Sequence, residues 1–301
     1  MDNDQKKWLY LIVLSLVWGS SFILIKKSLL GLSPLQVGAL RVVIASLFLV
    51  CIGFSRLKKI SKSQWKWVTI SGLVGTFIPA FFFAFAQTEI DSAVTSILNS
   101  TTPLMTLVLG ALLFSIGFTR RQLLGVCIGL LGCLWLVWQG ADLNPNQNYW
   151  FTLFVFTATV CYALNVNIIK TRLQDLSPLA IATGAFLTLL LPAFAILVFS
   201  GFFSEMDFAN ETFLSSMGFV ALLAVVGTAL ALLLFNKLIQ ISTPVFTTSV
   251  TYTIPIVALL WGLLDGERFT LGQGAAAGII LAGVVLANRG GKKRKVLSVK
   301  R

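Results

Sequence analysis

The stretch "WGSSFILIKKSLLGLSP", residues 18–34, resembles "ALNVNIIKTRLQDLSP", residues 163–178, which lies 144 positions later. Both contain an isoleucine-lysine pair followed by a leucine and by Leu-Ser-Pro. Apolar matches are common between membrane segments, but a lysine followed eight residues later by the proline of Leu-Ser-Pro is a specific match. The chain therefore contains an internal repeat.

A second pair of segments supports the repeat at a slightly larger offset. "SAVTSILNSTTP" at 92–103 aligns with "PVFTTSVTYTIP" at 244–255, and "VGT" at 74–76 returns at 226–228. Both matches are separated by 152 residues. The repeat therefore extends over most of each half of the chain.

The composition is that of an integral membrane protein. Hydrophobic residues make up 57% of the 301 residues, charged residues only 11%, and the mean hydropathy is +0.90. Stretches of about 20 apolar residues, enough to cross the hydrocarbon core as a helix, occur ten times and predict an all-α membrane protein with ten transmembrane helices. They cover residues 8–30, 34–54, 67–86, 92–114, 123–138, 149–169, 178–199, 213–239, 244–264 and 271–287.

The repeat and the helix count together predict the topology. Each half, 1–141 and 149–288, holds five helices; because five is odd, the second half enters the membrane from the opposite side, which gives an inverted repeat. With both termini in the cytoplasm, 19 of the 23 lysine and arginine residues fall on the inner side, including those of a basic tail at 289–301. These cations lie in short loops beside membrane helices, so they indicate topology and contact with anionic lipid rather than nucleic-acid binding.

The doubled "WG…K…SP" opening, the prolines Pro103 and Pro255 and the stretch "GERFTLGQ…GIILAGVVL" resemble the EamA-type branch of the drug/metabolite transporter superfamily. The resemblance covers essentially the whole chain. It implies two five-helix repeats and a multi-pass protein of the cell (inner) membrane that moves small metabolites, often as an exporter of amino acids or related compounds. One departure from the family's pattern concerns the Gly-Glu pair that is common between the fourth and fifth helices of each repeat. The second half keeps this pair as Gly266-Glu267, whereas the first half reads "SIGFTRRQ".

Three polar side chains within predicted helices are candidates for substrate contact or gating. Arg41 lies roughly 10 Å into the second helix, and its repeat counterpart is Ala185; it either pairs with another residue or contacts substrate. Asn99 is central in the fourth helix and costly to bury. Lys26 reaches the outer interface, where it either snorkels into the headgroups or serves as a gate or anion contact.

Other candidates line the same predicted cavity or allow it to open. For the Ser and Thr residues among them, helix packing is the competing interpretation, and a static bend or close helix packing is the alternative for the hinge residues. The further cavity candidates are Trp18, Ser21, Thr95, Thr102, Tyr162, Asn165, Thr248 and Tyr252, and the hinge candidates are Pro103, Pro255, Gly75 and Gly227.

Two GxxxG pairs occupy the closing helices of the repeats. Gly125 and Gly129 lie in the fifth helix, and Gly274 and Gly278 lie in the tenth. This spacing favours close helix contact. We expect both pairs to pack within one chain, with a dimer contact as the alternative, so the protein is predicted to be a monomer or a homodimer.

The sequence excludes several kinds of active site. No histidine is present, so a Ser-His couple and an HExxH zinc site are impossible, and no P-loop occurs for ATP hydrolysis. We predict a protein that is not an enzyme and needs no cofactor or metal. The expected function is secondary or facilitated export of small polar metabolites such as amino acids by alternating access; a lipid or lipid-linked sugar translocase and a channel are the alternatives.

Overall fold

The computed structural model describes residues 3–114, 119–143 and 147–289, and within these ranges all regular structure is helical. The departure from Gly-Glu noted in the first half falls largely on 115–118, outside the described residues. Ten long helical segments, α1 to α10, occur in chain order. They are α1 (Asn3–Ser28), α2 (Pro34–Gly53), α3 (Lys62–Ala86), α4 (Ser92–Phe114), α5 (Arg120–Leu143), α6 (Tyr149–Arg172), α7 (Pro178–Phe199), α8 (Glu211–Ile241), α9 (residues 244–264) and α10 (Leu271–Arg289).

Eight of these helices, all except α5 and α10, are long and apolar enough to cross a membrane. The helix α10 contains a shorter apolar segment, Leu271–Gly283. The structure therefore confirms the prediction of an all-α, multi-pass membrane protein. Ten membrane spans and cytoplasmic termini stay predictions.

The repeated Leu-Ser-Pro motif is the start signal of the second helix in each half. The hydroxyl of Ser33 accepts a hydrogen bond from the backbone N–H of Gln36, 3.3 Å away, and the Ser177 hydroxyl accepts one from Ala180 at 3.2 Å. The following proline occupies the first turn, where its missing N–H is not needed. The sequence similarity between the halves thus reflects the same local structure.

Both third helices contain a π-helical stretch at the repeated "VGT" motif. In α3 it spans Leu73–Phe77, and in α8 it spans Leu223–Leu230. A π-helical insertion widens the turn and frees backbone carbonyl groups, and such insertions are frequent at functional sites. Gly75 and Gly227 lie within these stretches, at equivalent positions of the repeat.

The helices α4 and α9 are interrupted where the sequence predicts continuous helices with proline kinks. In α4 the helix Ser92–Asn99 ends and a new one, Thr102–Phe114, begins. In α9 a 3₁₀ turn, Ser249–Tyr252, separates Pro244–Thr248 from Ile254–Leu264. Pro103 and Pro255 are the second residues of the new helices, so each lies in a first helical turn and no interior hydrogen bond is lost.

The helices α5 and α10 pack along each other within the chain, but only one GxxxG pair lies at the contact. A Cβ added to Gly283 of α10 would lie 2.5 Å from the backbone nitrogen of Gly129 and 2.6 Å from the carbonyl oxygen of Gly125. A Cβ on Gly278 would meet no atom within 4 Å, and one on Gly274 would meet only Phe269, at 3.6 Å. The predicted pair in α10 therefore does not form the contact; Gly283 does, because the helix presents a different face to α5.

Candidate transport cavity

A cavity of about 90 Å³ lies between side chains from both halves of the chain. Seven helices contribute to its wall, and hydrophobic or aromatic side chains alternate with neutral polar ones. Its lining comprises Trp18, Ser21, Phe22, Ile25, Arg41, Gly75, Thr76, Phe83, Asn99, Thr102, Tyr162, Asn165, Val166, Gly227, Thr228, Leu232, Phe235, Thr248, Thr251 and Ile254.

Two helix crossings in the cavity wall are related to each other by the repeat. A Cβ on Gly227 of α8 would lie 2.8 Å from the hydroxyl of Ser21 on α1, and a Cβ on Gly75 of α3 would lie 2.4 Å from the side-chain nitrogen of Asn165 on α6. Ser21 and Asn165 are separated by 144 residues and the two glycines by 152, which are the offsets of the repeat. The first helix of each half therefore packs on the third helix of the other.

The π-helical stretch of α8 is held by side chains that satisfy its carbonyl groups. The indole Nε1 of Trp18 donates a hydrogen bond of 3.0 Å to the Gly227 carbonyl, and the Thr228 hydroxyl donates one of 3.0 Å to the Leu223 carbonyl. At the equivalent crossing, between α3 and α6, the Ser71 hydroxyl donates a hydrogen bond to Oδ1 of Asn165 at 2.5 Å. The wall is thus fixed by polar contacts between helices.

Arg41 is the charged residue of the cavity wall. Its side chain is 8% exposed, and Nε donates a 2.7 Å hydrogen bond to the Thr228 hydroxyl. In the part of the chain that the structure describes, ion pairs join Lys26 and Lys27 to Asp265 and Glu267, and Arg41 takes part in none of them. None of the described residues that line the cavity carries a carboxylate, so the guanidinium contributes a net positive charge to the site.

Asn99 lies at the interruption of α4. It is the last residue of the first helical segment, is 5% exposed, and its carbonyl and Oδ1 both accept from the Thr102 hydroxyl, at 2.7 and 3.3 Å. Both residues line the cavity, as the sequence predicts, and the interruption of α4 lies between them.

Several predicted candidates lie elsewhere. Thr95 is fully buried and its hydroxyl donates to the Asp91 carbonyl at 3.0 Å, and Tyr252 does not line the cavity. Pro103 and Pro255 also lie outside the lining and flank the helix interruptions. The other predicted cavity residues, Trp18, Ser21, Arg41, Asn99, Thr102, Tyr162, Asn165 and Thr248, line it together with Gly75 and Gly227.

The sequence-based reasoning missed Thr76 and Thr228 and the aromatic wall. The two threonines end the repeated "VGT" motif, so the repeat itself was a signal that could have identified them. Phe83 and Phe235 are also separated by 152 residues, the offset of the repeat, but phenylalanine occurs 24 times in this chain, so a match between two phenylalanines alone is a weak signal.

Lys26 lies one residue beyond the cavity-lining Ile25, in a cluster of two lysines and two carboxylates that we call the ion-pair cluster (Lys26, Lys27, Asp265 and Glu267). Lys26 Nζ lies 2.8 Å from Asp265 Oδ2 and 2.9 Å from Glu267 Oε1, and Lys27 pairs with Asp265. The cluster joins the end of α1 to the loop that follows α9, next to the cavity wall at Ile25.

Glu267 also caps the helix α4. Its Oε1 accepts from the hydroxyl and backbone N–H of Ser92, at 2.6 and 3.2 Å, and its Oε2 accepts from the Ala93 N–H at 3.2 Å. A carboxylate at a helix N-terminus is favourable because the unpaired N–H groups carry partial positive charge. Glu267 therefore connects three segments, α1, α4 and the loop after α9.

Gly266 directs Glu267 into this position. It has a φ of 84°, in the left-handed region that glycine adopts without strain. The Gly266 N–H donates to the Leu263 carbonyl and the Glu267 N–H to the Gly262 carbonyl, at 3.2 and 2.9 Å, which ends α9 as a Schellman motif. The Gly-Glu pair thus reverses the chain and presents the carboxylate to α1 and α4.

Two aspartates in or near the ion-pair cluster, Asp265 and Asp91, have pKa values that are shifted in opposite directions. Burial alone would raise the pKa of Asp265, but hydrogen bonds from Lys26 and Lys27 outweigh it and hold this pKa below its ordinary value of 3.8. Burial, reinforced by the negative charge of Glu267, raises the pKa of Asp91. Asp265 is therefore ionised down to acidic pH, whereas Asp91 takes up a proton more readily.

The repeat-related Lys170 has different partners. Its Nζ donates to the carbonyl groups of Ile239 and Ser242 at 3.1 and 2.8 Å, which lie at the C-terminal end of α8. A cation at a helix C-terminus is favourable for the same electrostatic reason as an anion at the N-terminus. The equivalent lysines therefore make different contacts, Lys26 with carboxylates and Lys170 with backbone carbonyl groups.

The helical fold, the doubled architecture and the central cavity define a transporter. The model of the EamA-like transporter family matches residues 5–138 and 149–289, and the chain belongs to this family. It is therefore a multi-pass protein of the cell membrane and not an enzyme.

Relatives of known sequence match over almost their full length. A transporter of Archaeoglobus fulgidus is 26% identical over 95% of this chain and 99% of its own. The inner membrane transporter YedA of Escherichia coli is 25% identical over 93% and 90%. A protein of Salmonella typhimurium named "Probable amino-acid metabolite efflux pump" is 24% identical over 98% and 99%. A solved crystal structure covering 95% of this chain and 97% of its own has a TM-score of 0.64 at 16% identity, so the two share a fold.

Proposed function

We propose that this protein is a secondary or facilitated carrier that exports small polar metabolites, such as amino acids, by alternating access. The observation that carries the proposal is the cavity, whose wall is built from equivalent positions of both halves. Two similar halves of opposite orientation can exchange conformations and expose one central site to either side of the membrane in turn. The name of the Salmonella relative favours amino acids as the substrate class.

The proposed topology has ten transmembrane helices in two inverted repeats, 1–141 and 149–288, with a basic tail at 289–301 and both termini in the cytoplasm. The reciprocal packing of Ser21 on Gly227 and of Asn165 on Gly75 supports the pairing of the repeats. The lysine and arginine distribution supports the orientation. On this orientation the ion-pair cluster closes the outer end of the cavity, and Lys170 lies at the inner end.

The roles of individual residues follow from their places in the cavity. We assign substrate contact to Arg41, Asn99, Asn165 and Tyr162, and hinge function to the helix interruptions before Pro103 and Pro255. The π-helical stretches around Gly75 and Gly227 let the halves slide on each other because a glycine at each crossing keeps the backbones close.

Counterflow in proteoliposomes tests this function. Purified protein is reconstituted into vesicles that are preloaded with a mixture of neutral amino acids, and uptake of one labelled amino acid at a time is measured. Saturable uptake that occurs only in preloaded vesicles is expected for a carrier. Uptake that neither saturates nor requires preloading would indicate a channel, and absence of uptake for all amino acids with activity on a membrane-embedded lipid-linked sugar would indicate a translocase.

A further inference from the structure

We propose that the cavity recognises the anionic group of its substrate, a carboxylate, through the guanidinium of Arg41. The substrate class is then organic anions and zwitterions with a compact apolar body, and amines without a carboxylate are excluded. This inference rests on the proposed transport function, and it specifies the chemistry of the binding site.

The first argument concerns charge. An arginine guanidinium is protonated at all pH values that proteins experience, and a buried cation is costly unless an anion compensates it. Arg41 is 8% exposed, and no carboxylate of the described residues forms an ion pair with it. The ligand therefore has to supply the missing negative charge.

The second argument concerns geometry. The Thr228 hydroxyl binds the Arg41 side chain at Nε, and the Thr228 hydroxyl itself is fixed by its donation to the Leu223 carbonyl in the π-helical stretch. Within the described part of the chain, the guanidinium of Arg41 forms a hydrogen bond through Nε alone. The two terminal nitrogens keep their N–H groups for a ligand, and their planar fork matches the two oxygens of a carboxylate.

The third argument is that the fold does not require an arginine at this place. The equivalent position of the second half is Ala185, whose Cβ would lie 3.0 Å from a Cβ on Gly72. The second helix of each half thus packs on the third helix of the other, with a small uncharged residue at this position in one half and an arginine, bound to Thr228, in the other. A difference of this kind between equivalent positions points to the ligand rather than to helix packing.

The remaining wall determines what accompanies the carboxylate. Trp18 and Phe235 pack edge to face with ring centroids 4.8 Å apart, and Phe83 stacks on Tyr162 at 5.9 Å. Apolar surface of this kind accepts an aliphatic or aromatic body. The oxygens of Asn99 and of the threonines can accept hydrogen bonds from an ammonium group, but they supply no negative charge, so an amine alone would meet the repulsion of Arg41.

The test measures binding separately from transport, with matched probes. Thermal stabilisation of the purified protein in detergent is recorded with three series of probes. Within a series, the acid, the amino acid and the amine share one apolar body. The first series is 4-methylpentanoate, L-leucine and 3-methylbutylamine, and the other two are the corresponding compounds of phenylalanine and valine. We expect the carboxylate-bearing members of at least one series to stabilise the wild type and the amines to have no effect. Arg41→Gln should weaken this binding at least about tenfold, as expected for loss of a charged hydrogen bond.

Two variants control for folding and for charge elsewhere. Arg121→Gln removes an exposed arginine and should bind as the wild type does. Arg41→Lys keeps the charge without the fork and should bind more weakly than the wild type but more tightly than Arg41→Gln.

The outcomes separate this inference from the transport function. Equal binding of an amine and its acid, unchanged binding by folded Arg41→Gln, or no binding of any carboxylate up to about 10 mM, weaker than ordinary substrate affinities, would overturn the anion site. Carboxylate-dependent binding without counterflow would support the anion site and contradict the carrier. Counterflow of amines alone would support the carrier and contradict the anion site.

Discussion

Lys26 and Glu267 are 241 residues apart in the sequence, yet the ammonium nitrogen lies 2.9 Å from a carboxylate oxygen. Lys26 lies in the last turn of α1, and Glu267 follows α9 in the second half. The same carboxylate caps α4 of the first half through Ser92 and Ala93. One side chain, 4% exposed, therefore connects the two halves at one end of the cavity, and this connection has to separate if the cavity opens there.

We predict that Lys26 and Glu267 are energetically coupled. Lys26→Met and Glu267→Gln should each destabilise the protein, but the double variant should lose less than the sum, with a coupling energy of about 1–3 kcal/mol for residues in contact. The measurement is a double-mutant cycle on thermal unfolding in detergent. Lys62→Met, an exposed lysine at the start of α3, serves as the control and should be additive with Glu267→Gln; additivity of the Lys26 pair as well would contradict the proposed connection.

The pH dependence of this cluster follows from Asp265. Because its pKa is lowered below 3.8, the folded state binds its proton less readily than the unfolded state. The resulting stabilisation is present above the ordinary pKa and is lost as the pH falls through the lowered one. The difference in unfolding midpoint between the wild type and Asp265→Asn should thus be constant from pH 8 to pH 5 and decrease only below about pH 4. A difference that disappears between pH 7 and pH 5 would show that the two lysines do not stabilise this carboxylate.

The helix crossings at Gly75 and Gly227, where α3 packs on α6 and α8 on α1, yield a prediction about packing. Gly75→Ala would place a Cβ 2.4 Å from the Asn165 amide, so it should destabilise the protein by about 1–3 kcal/mol through overpacking. Asn165→Ala in the same chain should relieve much of this loss by removing the amide. Gly218→Ala in α8, where a Cβ meets no atom within 4 Å, is the matched control and should be neutral or stabilising.

Unfolding midpoints of the four chains, the wild type and the three variants, check this prediction. A Gly75→Ala variant as stable as Gly218→Ala would mean that α3 and α6 do not approach each other at this crossing. Reduced counterflow in a Gly75→Ala variant that retains its stability would indicate that the crossing is needed for motion rather than for folding.

Local signals in the sequence predict much of the fold. Ser-Pro pairs fix the starts of α2 and α7 because the cap hydroxyl and the proline act within one turn. The repeat predicts that equivalent positions of the two halves occupy equivalent places, and most of the predicted cavity residues line the cavity. Arg41 and Asn99 were identifiable because a polar side chain within a membrane helix requires a protein or aqueous environment.

Features that depend on distant partners could not be predicted. The contact between Lys26 and Glu267 depends on how two halves dock, and nothing near either residue encodes it. The π-helical stretches and the interruptions of α4 and α9 result from tertiary packing, so periodicity alone gives continuous helices there. Thr95 precedes the interruption and lies one turn before Asn99 in the same helical segment, and the sequence does not show at which turn of this segment the cavity ends.

The helix pair α5 and α10 gives the last prediction. Gly283→Val would bring its side chain against the backbone of Gly129, where the added Cβ alone would be 2.5 Å from the nitrogen. Because a backbone cannot move aside as a flexible side chain does, we expect α10 to be displaced and the unfolding midpoint to fall. Gly278→Val introduces the same side chain on the same helix, but its Cβ meets no atom within 4 Å, and the midpoint should change little. Size-exclusion chromatography with light scattering on both variants separates an intramolecular contact from a dimer contact: a Gly278→Val variant that dissociates while Gly283→Val stays intact would place the GxxxG pair of α10 in an interface between two copies of the chain.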